Sequence, residues 1–599
     1  MSKAVVGKAG WTLIGLLIAV VAVLGWVGLA HSPVEKKAIV PPVSVDSSLE
    51  PQPPAVSFTD ITAQAGIGFV HHSGAAGDRL LPETMGSGAA FFDLDNDGDQ
   101  DLLLIDSGRL RGHPADAPVV PSLHLYRNDG SGHFTDVSAE AAPADAFYGM
   151  GVALGDYDQD GWTDVFVTAV GENRLYRNQQ GRLEDVTAAA GVAGDPYDWS
   201  TGASFVDVDQ DGDLDLFVAN YITWSLEIDR KVNFQITGIG RAYGPPNAFA
   251  GSDAYLYRNL GDGRFEDVSA SSGIRVAHPQ SGEPMAKALA VLPLDIDRDG
   301  AMDLFVANDT VQNFLFRNRG QGRFEEVGTE SGVAFDRNGA ATGAMGVDSA
   351  HIFDDPDQAI AIGNFANEMS SLYVTSSGRL PLSDQAIISG IGAASRAALT
   401  FGLFFFDYDL DGRLDLLQVN GHLEPEINQV QASQSHAQAA QLFWNCGTAC
   451  RTPFVPVSAA SMGDLARPIV GRGATYADID ADGDLDVLIT QNNGPPRLLR
   501  NDQAIGHHWL RVALQGSAPN REAIGAELML TLGDRQLRRR VMPSRSYLSQ
   551  VELPVTFGLG AAQQVTSLAI VWPDGTRQEV VDPALDEVLL VRQREEKAN

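Results

Sequence analysis

At 599 residues the chain is too long for one ordinary core, and its 44% hydrophobic content suffices for two or three folded units. Its 77 acidic against 42 basic residues give a formal charge of −35, which excludes a nucleic-acid partner, because a phosphate backbone needs clustered cations. The 62 glycines favour turn-rich β structure over long helices.

Lys3 and Lys8 precede an uncharged apolar run, WTLIGLLIAVVAVLGWVGLA, from Trp11 to Ala30. A run of this length crosses a bilayer as a helix. The basic residues ahead of it hold the N-terminus in the cytoplasm. It exceeds the roughly 7–15 apolar residues of a cleavable signal peptide. A retained transmembrane anchor over 1–31 is therefore favoured over cleavage, and with either the remainder is exported to the periplasmic or extracellular side, anchored or secreted. Residues 32–56 are proline-rich without an apolar period and read as an extended tether.

From residue 57 one acidic pattern, D-x-D-x-D-G-x-x-D, returns six times in one register. Its carboxylates are Asp93, Asp95, Asp97 and Asp101; then Asp156, Asp158, Asp160 and Asp164; then Asp207, Asp209, Asp211 and Asp215. The later copies hold Asp295, Asp297, Asp299 and Asp303; Asp407, Asp409, Asp411 and Asp415; and Asp478, Asp480, Asp482 and Asp486. A Gly-rich apolar segment precedes each copy and a short apolar strand such as DLFVAN follows it. Further on come LYRN, LFRN or LLRN and a hairpin turn. Four short strands per unit predict the blades of an all-β propeller over 57–505. In several units an Asn stands 13 residues after the first Asp (Asn220, Asn308, Asn420), and stepping back equally far from Asn364 lands on His351. There His351, Phe353 and Ala359 replace the acids and Pro356 the Gly, so a seventh blade is expected with a dead loop in which only Asp355 survives. SFTDITAQAGI at 57–67 matches the closing strand of other units and is expected to pair with the last blade, removing an open edge.

Asp at positions 1, 3, 5 and 9 with Gly at 6 resembles the start of an EF-hand loop, and hard oxygen ligands on a flexible loop suit Ca²⁺ better than Mg²⁺. No Glu stands at position 12 and no helix flanks the loops. The six copies contain 27 of the 77 acidic residues, and six calcium ions would move the formal charge from −35 to −23. Repetition of one site around a ring reads as structural calcium; a catalytic metal needs an open position and acid–base neighbours.

Residues 221–254 break the blade spacing and are either a binding element or a packing insertion. Cys446 and Cys450 are the only cysteines, and in an oxidising compartment they suit a small disulfide at a hairpin tip. No nucleophile elbow, HExxH, phosphate loop or dinucleotide fingerprint appears. The alternative to a binding module is an exported enzyme or accessory factor, with His71, His72, Glu83 and His422 gathered near the axis as a metal or acid–base site. Residues 506–599 alternate short apolar strands with Gly turns, giving a small β domain in which Trp572 packs on the core and Arg538–Arg540 lie on a solvated strand face.

The acidic loops resemble those of FG-GAP/VCBS propellers of the integrin-α type. The C-terminal stretches NREAIGAELML and SYLSQVELPVTFGLGAAQQVTSLAIVWPDGTRQEV resemble the ASPIC/UnbV domain. That pairing is similar to the cartilage acidic protein family and its bacterial relatives. The resemblance implies a secreted or surface calcium-binding protein that contacts a protein or glycan ligand in adhesion.

Overall fold

A computed structural model describes residues 51–112 and 119–594. The predicted anchor, Trp11–Ala30, lies outside the described residues, and among those described no helix is long and apolar enough to cross a membrane.

Seven antiparallel units of four strands follow one another. The first is Ala89–Phe92, Asp101–Ile105, Leu123–Asn128 and Phe134–Asp136. The remaining units begin with Gly149–Gly155, Ser200–Val206, Ala288–Leu294, Val347–Ala350, Thr400–Phe406 and Gly471–Ala477. Each of these first strands lies beside the next in chain order, and Gly471–Ala477 lies beside Ala89–Phe92. The seventh unit takes its outer strand from the other end of this region: Phe58–Asp60 pairs antiparallel with Arg497–Asn501, Phe58 opposite Asn501. The fifth unit contains the strand pair Val347–Ala350 and Ala359–Ile362 around the degenerate loop. Asn364 Nδ2 donates to Met369 O there (2.6 Å), as Asn420 donates to Ala439 O (2.8 Å) in the sixth. Apolar side chains fill the space between neighbouring sheets, as where Leu103 and Leu125 meet Val152 and Val165. Cys446 and Cys450 form a disulfide in the hairpin joining Gln441–Asn445 to Phe454–Pro456.

The C-terminal region forms two further sheets around a core of Leu510, Leu530, Phe557 and Trp572. It rests on the acidic-loop end of the seven units. A side chain at Gly483 would collide with the Trp509 ring, and one at Gly212 with Pro519. Arg521 Nε donates to Gln159 O (3.3 Å) and Arg535 Nη1 to Asp411 O (3.0 Å). Arg538–Arg540 do not lie on a solvated face as expected. Their strand, Arg535–Arg540, is turned towards these loops, and Arg539 sits 5.4 Å from the Phe557 ring centre.

From this domain a hairpin, Ser544–Arg545 with Ser549–Gln550, runs in among the first strands. Gln550 pairs in parallel with Ala90, Val347 bridges to Ser546, and Thr475 Oγ1 donates to Gln550 O (2.6 Å). In the first, sixth and seventh units the Gly five residues before the acidic loop makes room for it. A Cβ on Gly88 would stand 2.5 Å from Leu548 O, and one on Gly473 2.5 Å from Ser549 Oγ. The tip residue, Tyr547, is fully buried against Phe401 with ring centres 4.9 Å apart. It belongs to an apolar cluster at the far end of the first strands with Tyr148, Trp199 and Leu399. The 221–254 insertion packs onto that cluster through Trp224 and Phe249. Its buried Asp229 accepts from Leu81 N (2.9 Å), Trp224 Nε1 (2.9 Å) and Arg241 Nη2 (2.8 Å), so the insertion is a packing element.

Candidate metal centres

Each acidic loop joins the first strand of its unit to the second, and its backbone is bent in one way. Position 4 is left-handed in all six copies, with φ from 56° at Leu410 to 64° at Gln159, and the Gly at position 6 lies between 88° and 99°. Only Gly adopts the latter freely. The position 1 carboxylate receives the turn: Asp93 Oδ1 accepts from Asp97 N (3.1 Å) and Oδ2 from Gly98 N (3.0 Å), with the same pair at Asp407 and Asp295. Position 5 accepts the N–H of position 7, as at Asp97, Asp160, Asp211, Asp299, Asp411 and Asp482. Position 9 takes two backbone donors; Asp101 accepts from Leu94 N (2.9 Å) and Asn128 N (2.8 Å).

These bonds bring like charges together. Carboxylate oxygens of positions 1, 3 and 9 lie within 4.8 Å of one another in Asp93, Asp95 and Asp101, in Asp156, Asp158 and Asp164, in Asp207, Asp209 and Asp215, and in Asp407, Asp409 and Asp415. In the fourth unit the set is Asp295, Asp297 and Asp299, without Asp303. The position 5 residues Asp97, Asp160, Asp211 and Asp411 stand outside these triads and hold the turn instead. Burial pushes Asp101 up to about 7 and Asp215 to about 8, against the pull of their backbone donors and with neighbouring carboxylates adding to the rise. Asp164, Asp415 and Asp486 are driven well above the carboxylate range, burial again the main cause. Buried oxygens also lack any hydrogen-bond donor: Oδ1 of Asp95, Asp156, Asp209, Asp297, Asp478 and Asp480. An all-carboxylate donor set with unpartnered buried oxygens fits a hard divalent cation, which would supply the missing positive charge.

The FG-GAP-like repeat model matches residues 93–167, 156–218 and 295–350, each match beginning on the first aspartate of a loop. The ASPIC and UnbV model matches 516–598. The chain joins FG-GAP-like repeats to an ASPIC/UnbV domain. It is homologous to cartilage acidic protein 1. The Xenopus tropicalis protein is 24% identical over 544 residues, covering 84% of this chain and 73% of that one. The Mus musculus protein is 24% identical over 523 residues, covering 82% and 71%. A distant structural likeness joins it to a lectin from Agrocybe aegerita, with a TM-score of 0.36 at 13% identity over 68% of this chain and 86% of that one.

The LYRN stretches of the FG-GAP-like repeats have two roles that sequence reasoning missed. Their Arg faces position 3: Arg127 Nε lies 2.7 Å from Asp95 Oδ2, and Arg317 pairs with Asp297. In the sixth unit, where the stretch reads LFWN, Trp444 Nε1 donates to Asp409 Oδ2 (2.8 Å). Their Asn reaches the preceding unit. Asn178 Nδ2 donates to Leu94 O, Asn259 to Tyr157 O, Asn318 to Val208 O, Asn445 to Ile352 O and Asn501 to Tyr408 O; Asn128 donates to Ile479 O of the seventh unit. The fifth unit reads LYVT, and Thr375 Oγ1 bonds to its own Asp357. A shared spacing between loop and LYRN was the available signal.

His71, His72, Glu83 and His422 are placed around Arg472 at the far end of the first strands, but no hydrogen bond links the four. His71 Nδ1 accepts from Asn493 N (3.0 Å), and its Nε2 is 3.0 Å from Ser107 Oγ. His72 pairs with Asp106 (2.8 Å), and His422 Nδ1 accepts from Glu424 N (3.0 Å). Burial lowers His71 and His422 to about 4 and raises Glu83 to about 7. Arg472 donates to the carbonyls of Thr84 and Gly421, on either side of which these residues stand. His71 uses both ring nitrogens in such bonds, and His72 and His422 each use Nδ1.

Proposed function

We propose that the chain is an exported binding module, a seven-bladed propeller whose six acidic loops each hold one Ca²⁺ as a structural fastener, tethered by residues 1–31 on the periplasmic or extracellular side. The observation that carries this reading is the convergence of carboxylates in the loops, with buried, donorless oxygens in five of the six. Asn side chains passing from six of the seven units to the one before, together with the returning strand Phe58–Asp60, support closure of the seven units into a ring. Positions 1, 3 and 9 would hold the ion in most loops and positions 1, 3 and 5 in the fourth. The ion would quench repulsion that the facing Arg side chains and protonation otherwise relieve only in part. The test is thermal melting of the purified protein with added Ca²⁺ and with EGTA, together with bound calcium measured by mass spectrometry. Loss of the folding transition in EGTA and about six ions per chain are expected. An unchanged melting temperature would overturn the fastener.

A further inference from the structure

The C-terminal domain does not touch the acidic loops evenly. It presses on the second, third, fifth, sixth and seventh loops, through Arg521, Pro519, Arg535 (which bonds both Asp354 of the fifth and Asp411 O of the sixth) and Trp509, whereas nothing lies within 4 Å of a Cβ built on Gly300 in the fourth. The fifth loop, which keeps only Asp355 of its four ligand acids, does not fill the space. A cavity of about 710 Å³ is left between the fourth and fifth sheets and the C-terminal four-stranded sheet.

The floor of this cavity is apolar, with Met529, Ala569 and Val571 on the partly exposed face of the C-terminal sheet. Its walls carry arginines in a chain whose net charge is −35. Arg540 and Arg545 are taken by Glu527 and Asp348. Arg298, Arg538 and Arg577 have no carboxylate within ion-pair distance among the described residues; Arg538 donates only to Gln536 Oε1 (3.2 Å), and Arg298 only to Pro356 O. Arg539 Nε is buried with no hydrogen-bond partner. Against them stand Glu579 and two acids of the fourth loop, Asp295 and Asp299, which belong to its cation triad. The volume is that of a small-molecule site, and forked guanidinium groups over an apolar floor select planar acidic groups on an organic body.

We propose that this cavity binds a mid-sized organic anion, whose apolar body lies on the Met529 and Val571 floor and whose two or more carboxylate or sulfate groups engage Arg298, Arg538 and Arg577. The site deepens the reading of the chain as a binding module, and it rests on calcium at Asp295 and Asp299 to quench those carboxylates.

The test is calorimetric titration of the full-length protein in calcium buffer with a naphthalene dicarboxylate and a naphthalene disulfonate, the neutral dimethyl ester serving as control. Saturable one-to-one binding of at least one diacid, and none of the ester, is expected; the stronger diacid tells carboxylate from sulfate. Arg538→Ala with Arg577→Ala should weaken binding at least about tenfold, since each loses a charge-assisted fork, while melting temperature and calcium content stay put. Arg298→Ala, outside the C-terminal domain, is the second variant if the double substitution lowers the melting temperature. No saturable heat in calcium-loaded protein, equal binding of the ester, or unchanged affinity in folded variants overturns the proposal. Diacid binding by protein that holds no calcium would overturn the calcium reading and leave the cavity standing.

Discussion

Asn259 bonds in two directions. Its N–H donates to Asp215 Oδ1 (2.8 Å) inside its own unit, while Nδ2 reaches Leu214 O (3.1 Å) and Tyr157 O (2.8 Å), the second belonging to the unit before. Asn259→Ala keeps the first bond and strands two buried carbonyls, so a loss of about 1–3 kcal/mol is expected in urea unfolding. Thr375→Ala, at the matching position of the fifth unit, removes no bond between units and should cost less. Buried histidines contribute to the acid limit. His71, His351 and His422 are all held near 4 by burial, below their ordinary 6.5. A depressed histidine adds stability that is complete above about 6.5 and is lost as the pH falls towards 4, where the unfolded chain takes up protons that the fold refuses. In His71→Gln the slope of melting temperature against pH between about 6.5 and 4 should flatten relative to the parent; an unchanged slope would mean that His71 titrates normally.

At the scale of elements, the glycines before the acidic loops are spacers for another part of the chain. Gly473→Ala would place a methyl 2.5 Å from Ser549 Oγ and 3.0 Å from Ser87 O. Overpacking of that kind costs about 1–3 kcal/mol, and limited proteolysis should then cut within 541–551, which the parent protects. Reducing Cys446–Cys450, which closes a loop of sequence separation 4, should cost about 2 kcal/mol by loop entropy, read as a lower urea midpoint in dithiothreitol. The loops themselves were legible because their ligands and their Gly fall within nine residues, and even the fifth could be found by counting back from Asn364. The partners of LYRN were not legible. Arg127 and Asp95 stand 32 positions apart, and Asn128 reaches Ile479, 351 positions away. Nor was the hairpin at 544–550. On its own, SRSYLSQ has the alternation of any short strand, and only the run of close approaches at Gly88, Gly402 and Gly473 shows where it lies. Arg538–Arg540 were misread for a related reason: a polar strand face reads as solvated until a second domain covers it.

At the scale of the whole molecule, loops and joints act together. Each bound cation would stabilise the fold by roughly 2.7 kcal/mol at a hundredfold excess over its dissociation constant. Six such terms exceed the roughly 5–15 kcal/mol by which folded domains are stable, which is why chelation is expected to unfold the protein and not merely soften it. Asp209→Asn, one loop altered, should lower the calcium count by one and the melting temperature by a few degrees, leaving the other five loops loaded.

The fifth unit carries neither an acidic cage nor an Asn that passes to the fourth, whose own Asn318 still reaches back to Val208. The two departures fall on one boundary, so the series of otherwise repeated joints between units has a soft seam there, held by the apolar contacts of Leu292, Leu315, Ile360 and Tyr373 and by a few bonds such as Arg298 to Pro356 O. Breathing of the ring should begin there. Amides of Val347–Ala350 should exchange with deuterium sooner than those of Gly149–Gly155, and an occupant of the cavity above that seam would act as a clasp, slowing exchange in the Val347–Ala350 strand that lines it.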